Sequence, residues 1–462
     1  MQLEAPDIKR SEAPTRLGSG RFMRTHGTRL ACYAGSMYKG ISSVEMVVAL
    51  ARAGLLGFLG TGGVSLASVE RSLVELRSRL SGATNWGANL LCTHSDPDRE
   101  EALVDLYLTH GVRRIEASAY LRVSPALVRY RFAGARRLPD GSVFAPNAVI
   151  AKLSHPGVAE QFMRPAPAGL VEALRMSGRL TDAEAAAALH APVAEDICVE
   201  ADSAGHTDRG VALVLAPVVQ DLRDQIVASY AVTPDIRVGM AGGLGTPRAI
   251  AAVFALGADF IATGSVNQCS VEADISEAVK DLLQAAGVMD TTFAPAGDMF
   301  ELGSRVQVLA AGLQFPARAN KLYELYGRHE GIEALDARTR SLLEEKYFGT
   351  SIDDVWAQTR EYCQRECPGE LEKAQRLPRH KMALVFRWYF ARTSRLAREG
   401  ELQHQPNFQI HCGPAMGAFN LWARGTRLEH WKNRHVADVL ETLMAGAATH
   451  LSQQRHCLED VQ

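Results

Sequence analysis

Three short stretches of the chain bring together residue types that could do chemistry. In Glu200-Ala201-Asp202-Ser203-Ala204-Gly205-His206-Thr207-Asp208 a histidine stands among small residues, with Asp202 and Asp208 beside it. An imidazole exchanges protons near neutral pH and small neighbours leave it reachable, so His206 is the candidate acid–base residue. Ala241-Gly242-Gly243-Leu244-Gly245 and Thr263-Gly264-Ser265 are glycine turns. Lacking side chains, they let backbone N–H groups approach an anion closely, and the first runs into a helix start whose dipole favours negative charge. Gly242, Gly243, Gly264 and Ser265 are therefore candidates for gripping a phosphate. Alone, such glycines serve equally well as tight turns.

Two polar residues interrupt apolar runs. Asn89 lies in Trp86-Gly87-Ala88-Asn89-Leu90, and Lys152 ends the run that begins at Ala148. A buried amide needs hydrogen-bond partners and a buried ammonium needs negative charge. A bound ligand could supply both. Asn89 could equally bond neighbouring strands, and Lys152 could pair with Glu200. Ala34-Gly35-Ser36-Met37 is a small-residue loop topped by a methionine that could pack on a ring.

These residues fall where a repeating pattern puts them. From about residue 30 the chain alternates short apolar runs, small-residue loops and amphipathic helical stretches, the signature of a parallel α/β fold. The runs are 30–33, 56–59, 86–91, 114–117, 148–153, 196–201, 236–241 and 260–263. Eight such units match a closed (β/α)8 TIM barrel, in which loops after the strands form the working face and a phosphate site commonly follows strands seven and eight. The glycine turns occupy those two positions.

Helix signals agree. Ser42-x-x-Glu45 reads as a capping box with Val44, Val47, Val48 and Ala51 on one face, and Thr246 before Pro247 reads as an N-cap. Residues 164–195 read as a helical insertion, with Thr181 to Glu184 opening its second helix. The expected organisation is a lead segment 1–28, a barrel 29–285 and a mostly helical C-terminal subdomain 286–462. The aromatic runs Phe386-Arg387-Trp388-Tyr389-Phe390 and Trp422 to Trp431 read as core in the last of these.

Composition excludes several classes. The 462 residues are 47% hydrophobic and 22% charged with a net charge of −2, which gives no general pull toward nucleic acid or an anionic membrane. There is no apolar run long enough to span a bilayer, and the polar N-terminus lacks an apolar leader, so a cytoplasmic location is expected. Eight scattered cysteines read as reduced thiols. Cys363-x-x-x-Cys367 lacks a second pair for zinc, so no metal is expected, and His411-Cys412 has no activating neighbour in sequence. Neither a G-x-S-x-G elbow nor a P-loop lysine is present.

The stretches 30–63, 85–91, 200–208 and 238–265 together resemble the nitronate monooxygenase and FabK-like superfamily of FMN barrels. Over nearly the whole chain, Ala294-Pro295-Ala296-Gly297-Asp298-Met299-Phe300, Phe315-Pro316-Ala317-Arg318-Ala319-Asn320-Lys321 and Asn407 to Asn420 resemble the PfaD-type, trans-acting enoyl reductases of polyunsaturated fatty acid and trans-acyltransferase polyketide synthases. The resemblance implies FMN bound by Met37, Asn89, Lys152, Gly205, Gly242, Gly243, Gly264 and Ser265, with His206 as the catalytic residue. It implies NADPH as reductant and acyl carrier protein as the partner that presents a 2-enoyl thioester. A homodimer is compatible with it. A nitronate monooxygenase-type flavin oxygenase and a non-catalytic docking protein of the synthase are the alternatives. Ala204 departs from the superfamily pattern, which has a first glycine before Gly-His.

Overall fold

A computed structural model describes residues 16–92, 96–205 and 210–459. Eight parallel strands close into a barrel: β1 Cys32–Ala34, β2 Leu56–Leu59, β3 Trp86–Leu91, β4 Arg114–Ser118, β5 Ala148–Leu153, β6 Asp196–Glu200, β7 Arg237–Ala241 and β8 Ile261–Thr263. Each expected run supplies one strand, and β8 pairs back to β1 through Cys32 and Ile261. The runs are nearly continuous in apolar residues because such strands are covered on both faces.

Side chains alternate across the barrel wall, as a period of two requires. Ala88, Leu90, Ile115, Ala117, Val149, Ala151, Ile197 and Val199 join the layer shared with the helices. Tyr33, Phe58, Ile150, Cys198 and Phe260 fill the lumen. The lower end is plugged by Phe22, stacked on Phe260 with ring centroids 4.4 Å apart. Phe22 rides on the helix Gly20–His26, which Ser19 caps at its start and Gly27 ends in the left-handed conformation (φ 65°). The described part of the lead segment is thus a stopper for the barrel.

The same end holds an ion network. Asp196 accepts two bonds from Arg237, at 2.6 and 2.8 Å, and its second oxygen lies 2.9 Å from His26 Nε2. All three side chains are almost fully buried.

Helix starts follow the expected chemistry with one shift. The cap of helix Val44–Arg52 is Ser43, which accepts from Met46 N, rather than Ser42. Ser42 is committed elsewhere, because its hydroxyl accepts from Met37 N at 2.8 Å and donates to Gly35 O at 3.2 Å. Thr246 caps Pro247–Ala255 as expected. The insertion is a pair of helices, Ala168–Met176 and Asp182–Ala188, the second opened by a Thr181–Glu184 capping box and the base closed by a bridge between Pro165 and Pro192. A two-residue ribbon, Arg136–Arg137 with Val143–Phe144, also precedes β5.

The chain divides into Met1–Ser203, Asp208–Asp274 and Ala415–Gln462 as one unit, and Ala204–Thr207 with Ile275–Pro414 as the other. The C-terminal subdomain expected over 286–462 is therefore cut at 414. The physical reason is that helix Val436–Glu459 packs along helices Pro247–Ala255 and Val44–Arg52 of the barrel, burying Val439, Leu440, Leu443, Met444 and Ala447. The second unit contains an antiparallel pair, β9 Thr291–Pro295 with β10 Arg305–Leu309, which the sequence pattern does not announce. Helices Phe315–Arg328, Ile352–Glu366 and Pro378–Glu399 accompany it. Phe300, Phe315, Phe348, Tyr389 and Phe390 form its core, so the Phe386–Phe390 run is structural.

Candidate flavin site

The two glycine turns sit at the strand-end face, directly after β7 and β8. Gly242 (φ 93°) and Gly243 (φ 69°) are both in the left-handed region, where an L side chain is strained. A Cβ on Gly242 would lie 1.5 Å from Ala201 O at the end of β6, so only glycine fits. Among the described residues, the nearest atom to a Cβ at Gly243 would be Asp202 Oδ2, at 3.7 Å, and at Gly264 none lies within 4 Å. The turns thus have a packed underside at Gly242 and open space above Gly243 and Gly264. Gly264 leads into the short helix Ser265–Gln268, and Ser265 is half-buried at its first position.

The lumen beneath these turns is polar. Lys152 Nζ, on β5, lies 3.8 Å from Glu116 Oε1 and 3.6 Å from Glu200 Oε1. Burial alone would pull the ammonium down, but the two carboxylates outweigh it and hold Lys152 above the ordinary lysine range. The expected pairing with Glu200 is present, and Glu116 is a second partner that sequence reasoning missed. Glu116 also accepts from Tyr33 Oη at 3.2 Å, from Ser36 N at 2.9 Å and from the Ser36 hydroxyl. It therefore ties the loop after β1 to β4 and β5. Glu200 in turn accepts from Ser203 Oγ at 2.7 Å, which draws the loop after β6 toward the same carboxylate.

Asn89 is buried in β3, and its side-chain nitrogen donates to Glu116 O at 2.9 Å and Ser118 Oγ at 3.0 Å, while its backbone carbonyl accepts from Thr61 Oγ1 at 2.7 Å. Its amide nitrogen is thus held by neighbouring strands, the alternative considered from sequence. Gly35 N donates to Thr263 O at 2.9 Å, closing the face between β1 and β8. Met37 is half-buried, and its backbone is fixed by Ser42 and by Gly60, where a Cβ would stand 2.1 Å from Met37 O.

Backbone strain also marks this end: Ala119 (φ 61°) follows β4 and Asp202 (φ 53°) follows β6. Such outliers persist where surrounding structure over-determines them, commonly at functional sites. His206 lies outside the described residues. Gly205, the last described residue before that gap, groups with the second unit. Met37, Asn89, Lys152, Gly242, Gly243, Gly264 and Ser265 all lie on strands or turns of the strand-end face. Among the described residues no cluster has the ligand set for a metal ion, and no helix is long and apolar enough to cross a membrane.

The residues fit a phosphate-bearing planar cofactor. Two side-chain-free turns with open space above them offer a backbone cradle for the anion, and below lies a hydrogen-bonding lumen in which Lys152 is flanked by Glu116 and Glu200.

A closed barrel of eight parallel strands defines a TIM barrel, and the paired glycine turns stand after its seventh and eighth strands, where such barrels commonly hold a phosphate. Comparison with known proteins narrows that class. The chain is 40% identical, with a TM-score of 0.92, to the enoyl reductase domain of MlnA from the macrolactin biosynthesis cluster of Bacillus amyloliquefaciens, covering 96% of this chain and 99% of that one. It is 50% identical over 438 residues to the polyketide biosynthesis protein PksE of Bacillus subtilis, and 39% identical over 417 residues to one component of the polyunsaturated fatty acid synthase of a Thraustochytrium species. These alignments cover 95% and 89% of this chain, but only 57% and 28% of the two relatives. Residues 329–408 match the inserted helical domain of an [acyl-carrier-protein] S-malonyltransferase. The chain belongs to the PfaD-type enoyl reductase family.

Proposed function

We propose that the chain is an FMN-dependent, NADPH-consuming enoyl reductase, acting in trans on 2-enoyl thioesters held by acyl carrier protein during polyketide or polyunsaturated fatty acid assembly in the cytoplasm. The observation that carries the cofactor is the pair of turns after β7 and β8, with Gly242 admitting no side chain and Gly264 facing open space. The match to the MlnA enoyl reductase domain along nearly its full length supports the reaction class.

In this reading the backbone N–H groups around Gly242, Gly243, Gly264 and Ser265 hold the phosphate. Lys152 faces the polar edge of the ring, Asn89 fixes the strand wall beside it through its bonds to Glu116 and Ser118, and Met37 packs on it. When bound, FMN supplies the chemistry of hydride transfer from NADPH to the thioester β-carbon. The protein's own work is electrostatic. Lys152, kept protonated by Glu116 and Glu200, is a fixed ammonium held between two carboxylates in the lumen. His206 serves the developing enolate, by a hydrogen bond to the thioester oxygen or a proton delivered to the α-carbon.

The test is turnover of FMN-loaded protein with NADPH and a crotonyl-carrier substrate. Formation of the butyryl carrier is expected. No turnover there, with oxidation of alkyl nitronates instead, would sink the proposal, and a colourless protein that binds carrier but no FMN would make it a docking protein.

A further inference from the structure

Residues 415–459 return to the barrel and meet both glycine turns. At the first, a Cβ on Gly245 would lie 2.0 Å from Ala415 O, so the turn after β7 touches the start of helix Ala415–Ala423 backbone to backbone. The helix that this turn feeds, Pro247–Ala255, lies along helix Val436–Glu459. Contact there is close enough that a Cβ on Gly446 would stand 2.7 Å from Pro247 Cγ.

The second turn is held from the same segment. Arg434 is 1% exposed. Its Nε donates to Leu428 O at 2.8 Å, its Nη2 to Glu429 O at 2.8 Å, and its Nη1 to Cys269 Sγ at 3.2 Å. The guanidinium lies over the Phe419 ring, 5.0 Å from its centroid. Cys269 is the residue that ends the short helix begun at Gly264-Ser265. Further along, Val271 N donates to Arg434 O at 2.9 Å, and Glu272 accepts from Val436 N at 3.0 Å and lies 2.8 Å from His435 Nδ1. The chain leaving β8 is thus fastened to the C-terminal segment at 269, 271 and 272. A planar guanidinium fork fixes direction as well as distance, which a flexible ammonium does not.

We propose that residues 415–459 are a buttress that sets the spacing of the two phosphate-binding turns. Arg434 is a positioning residue that acts through Cys269 on the Gly264-Ser265 turn. Gly446 acts through Pro247 on the Gly242–Gly245 turn. The inference rests on the FMN reading above and adds to it that phosphate recognition depends on residues about 170 to 200 positions further along the chain.

A phosphate-specific readout separates positioning from general stability. Flavin fluorescence titration of the full chain with FMN and with riboflavin, which lacks the phosphate, gives a preference ratio for each variant. Arg434→Lys keeps the charge and loses the fork, and Gly446→Ala wedges the helix pair apart at a second, independent place. For each, FMN affinity should fall about tenfold, a loss of about 1.4 kcal/mol, while riboflavin affinity stays within about twofold of wild type. Loss of FMN and riboflavin binding in equal proportion, or no change in either, would overturn the buttress. Should one variant not fold, the other gives the same reading. A wild type that binds both flavins equally would sink the phosphate assignment along with it. Wild type that prefers FMN, with variants that keep the preference in full, would sink the buttress alone.

Discussion

Glu116 on β4 and Lys152 on β5 face each other inside the upper lumen, Oε1 to Nζ 3.8 Å, with Glu116 fully buried. Removing one member of a buried pair leaves the other charge uncompensated, which typically costs about 3–5 kcal/mol. Lys152→Met should therefore destabilise the flavin-free protein by roughly that amount in urea unfolding. It should also slow flavin reduction by NADPH in stopped-flow absorbance. A variant as stable and as fast as wild type would mean that the carboxylates find other partners.

Gly243→Asp tests the phosphate grip. The left-handed φ of 69° and the nearby Asp202 carboxylate already disfavour an acidic side chain there, and a phosphate would add a third negative charge. Folded but pale protein is expected, read as flavin absorbance per chain. Full yellow colour would place the phosphate elsewhere.

At Gly264 the same question can be asked without crowding the described residues, because a Cβ there meets none of their atoms within 4 Å. Gly264→Val should leave the melting temperature of the flavin-free protein near that of wild type while weakening FMN by tenfold or more, about 1.4 kcal/mol or above. An equal fall in both quantities would show that the glycine serves the turn and not the ligand.

For His206→Ala the expectation is loss of crotonyl-carrier reduction with FMN still bound and still reducible by NADPH. Splitting the two half-reactions matters, since a histidine that serves the enolate is needed only in the second. Unchanged turnover would remove it from the mechanism.

The barrel was legible because its strands are buried on both faces, so each reads as an apolar run of the right length between loops. The first glycine turn was legible because the left-handed φ of Gly242 and Gly243 selects glycine locally. Glu116 was not. One carboxylate inside Ile115-Glu116-Ala117 carries no local signal, and its partners Tyr33, Ser36 and Lys152 lie far away in sequence. The available clue was register, since Glu116 sits beside Asn89 across β3 and β4, two polar residues facing one lumen. The choice between Ser42 and Ser43 as helix cap was decided by the fold of the loop after β1, which commits the Ser42 hydroxyl to Met37 N and Gly35 O. Likewise, the apolar face of Val436–Glu459 shows that the helix packs, but not against which body. The pair β9 and β10 was missed because its strands have one exposed side at Thr292 and a proline at Pro295, which weaken the strand signature.

At the opposite end of the barrel, Asp196 sets the acid stability. Burial would raise its carboxyl, but Arg237 and His26 outweigh that and hold it well below the usual carboxylate range. A carboxylate whose folded value is depressed contributes stability that is complete above its unfolded value, near 3.9, and is lost as pH falls toward the folded one. His26 works in the same direction at higher pH. Burial keeps it below its ordinary value of 6.5, so the unfolded chain takes up a proton before the folded one does and stability begins to decline below that pH. Melting temperature followed from pH 7 down to pH 3 should therefore fall in two stages. His26→Gln should flatten the first stage. Asp196→Asn should lower stability at pH 7 by about 3–5 kcal/mol, because Arg237 loses its buried counter-charge, and should flatten the second stage. Acid limbs unchanged in both variants would assign the acid sensitivity to other groups.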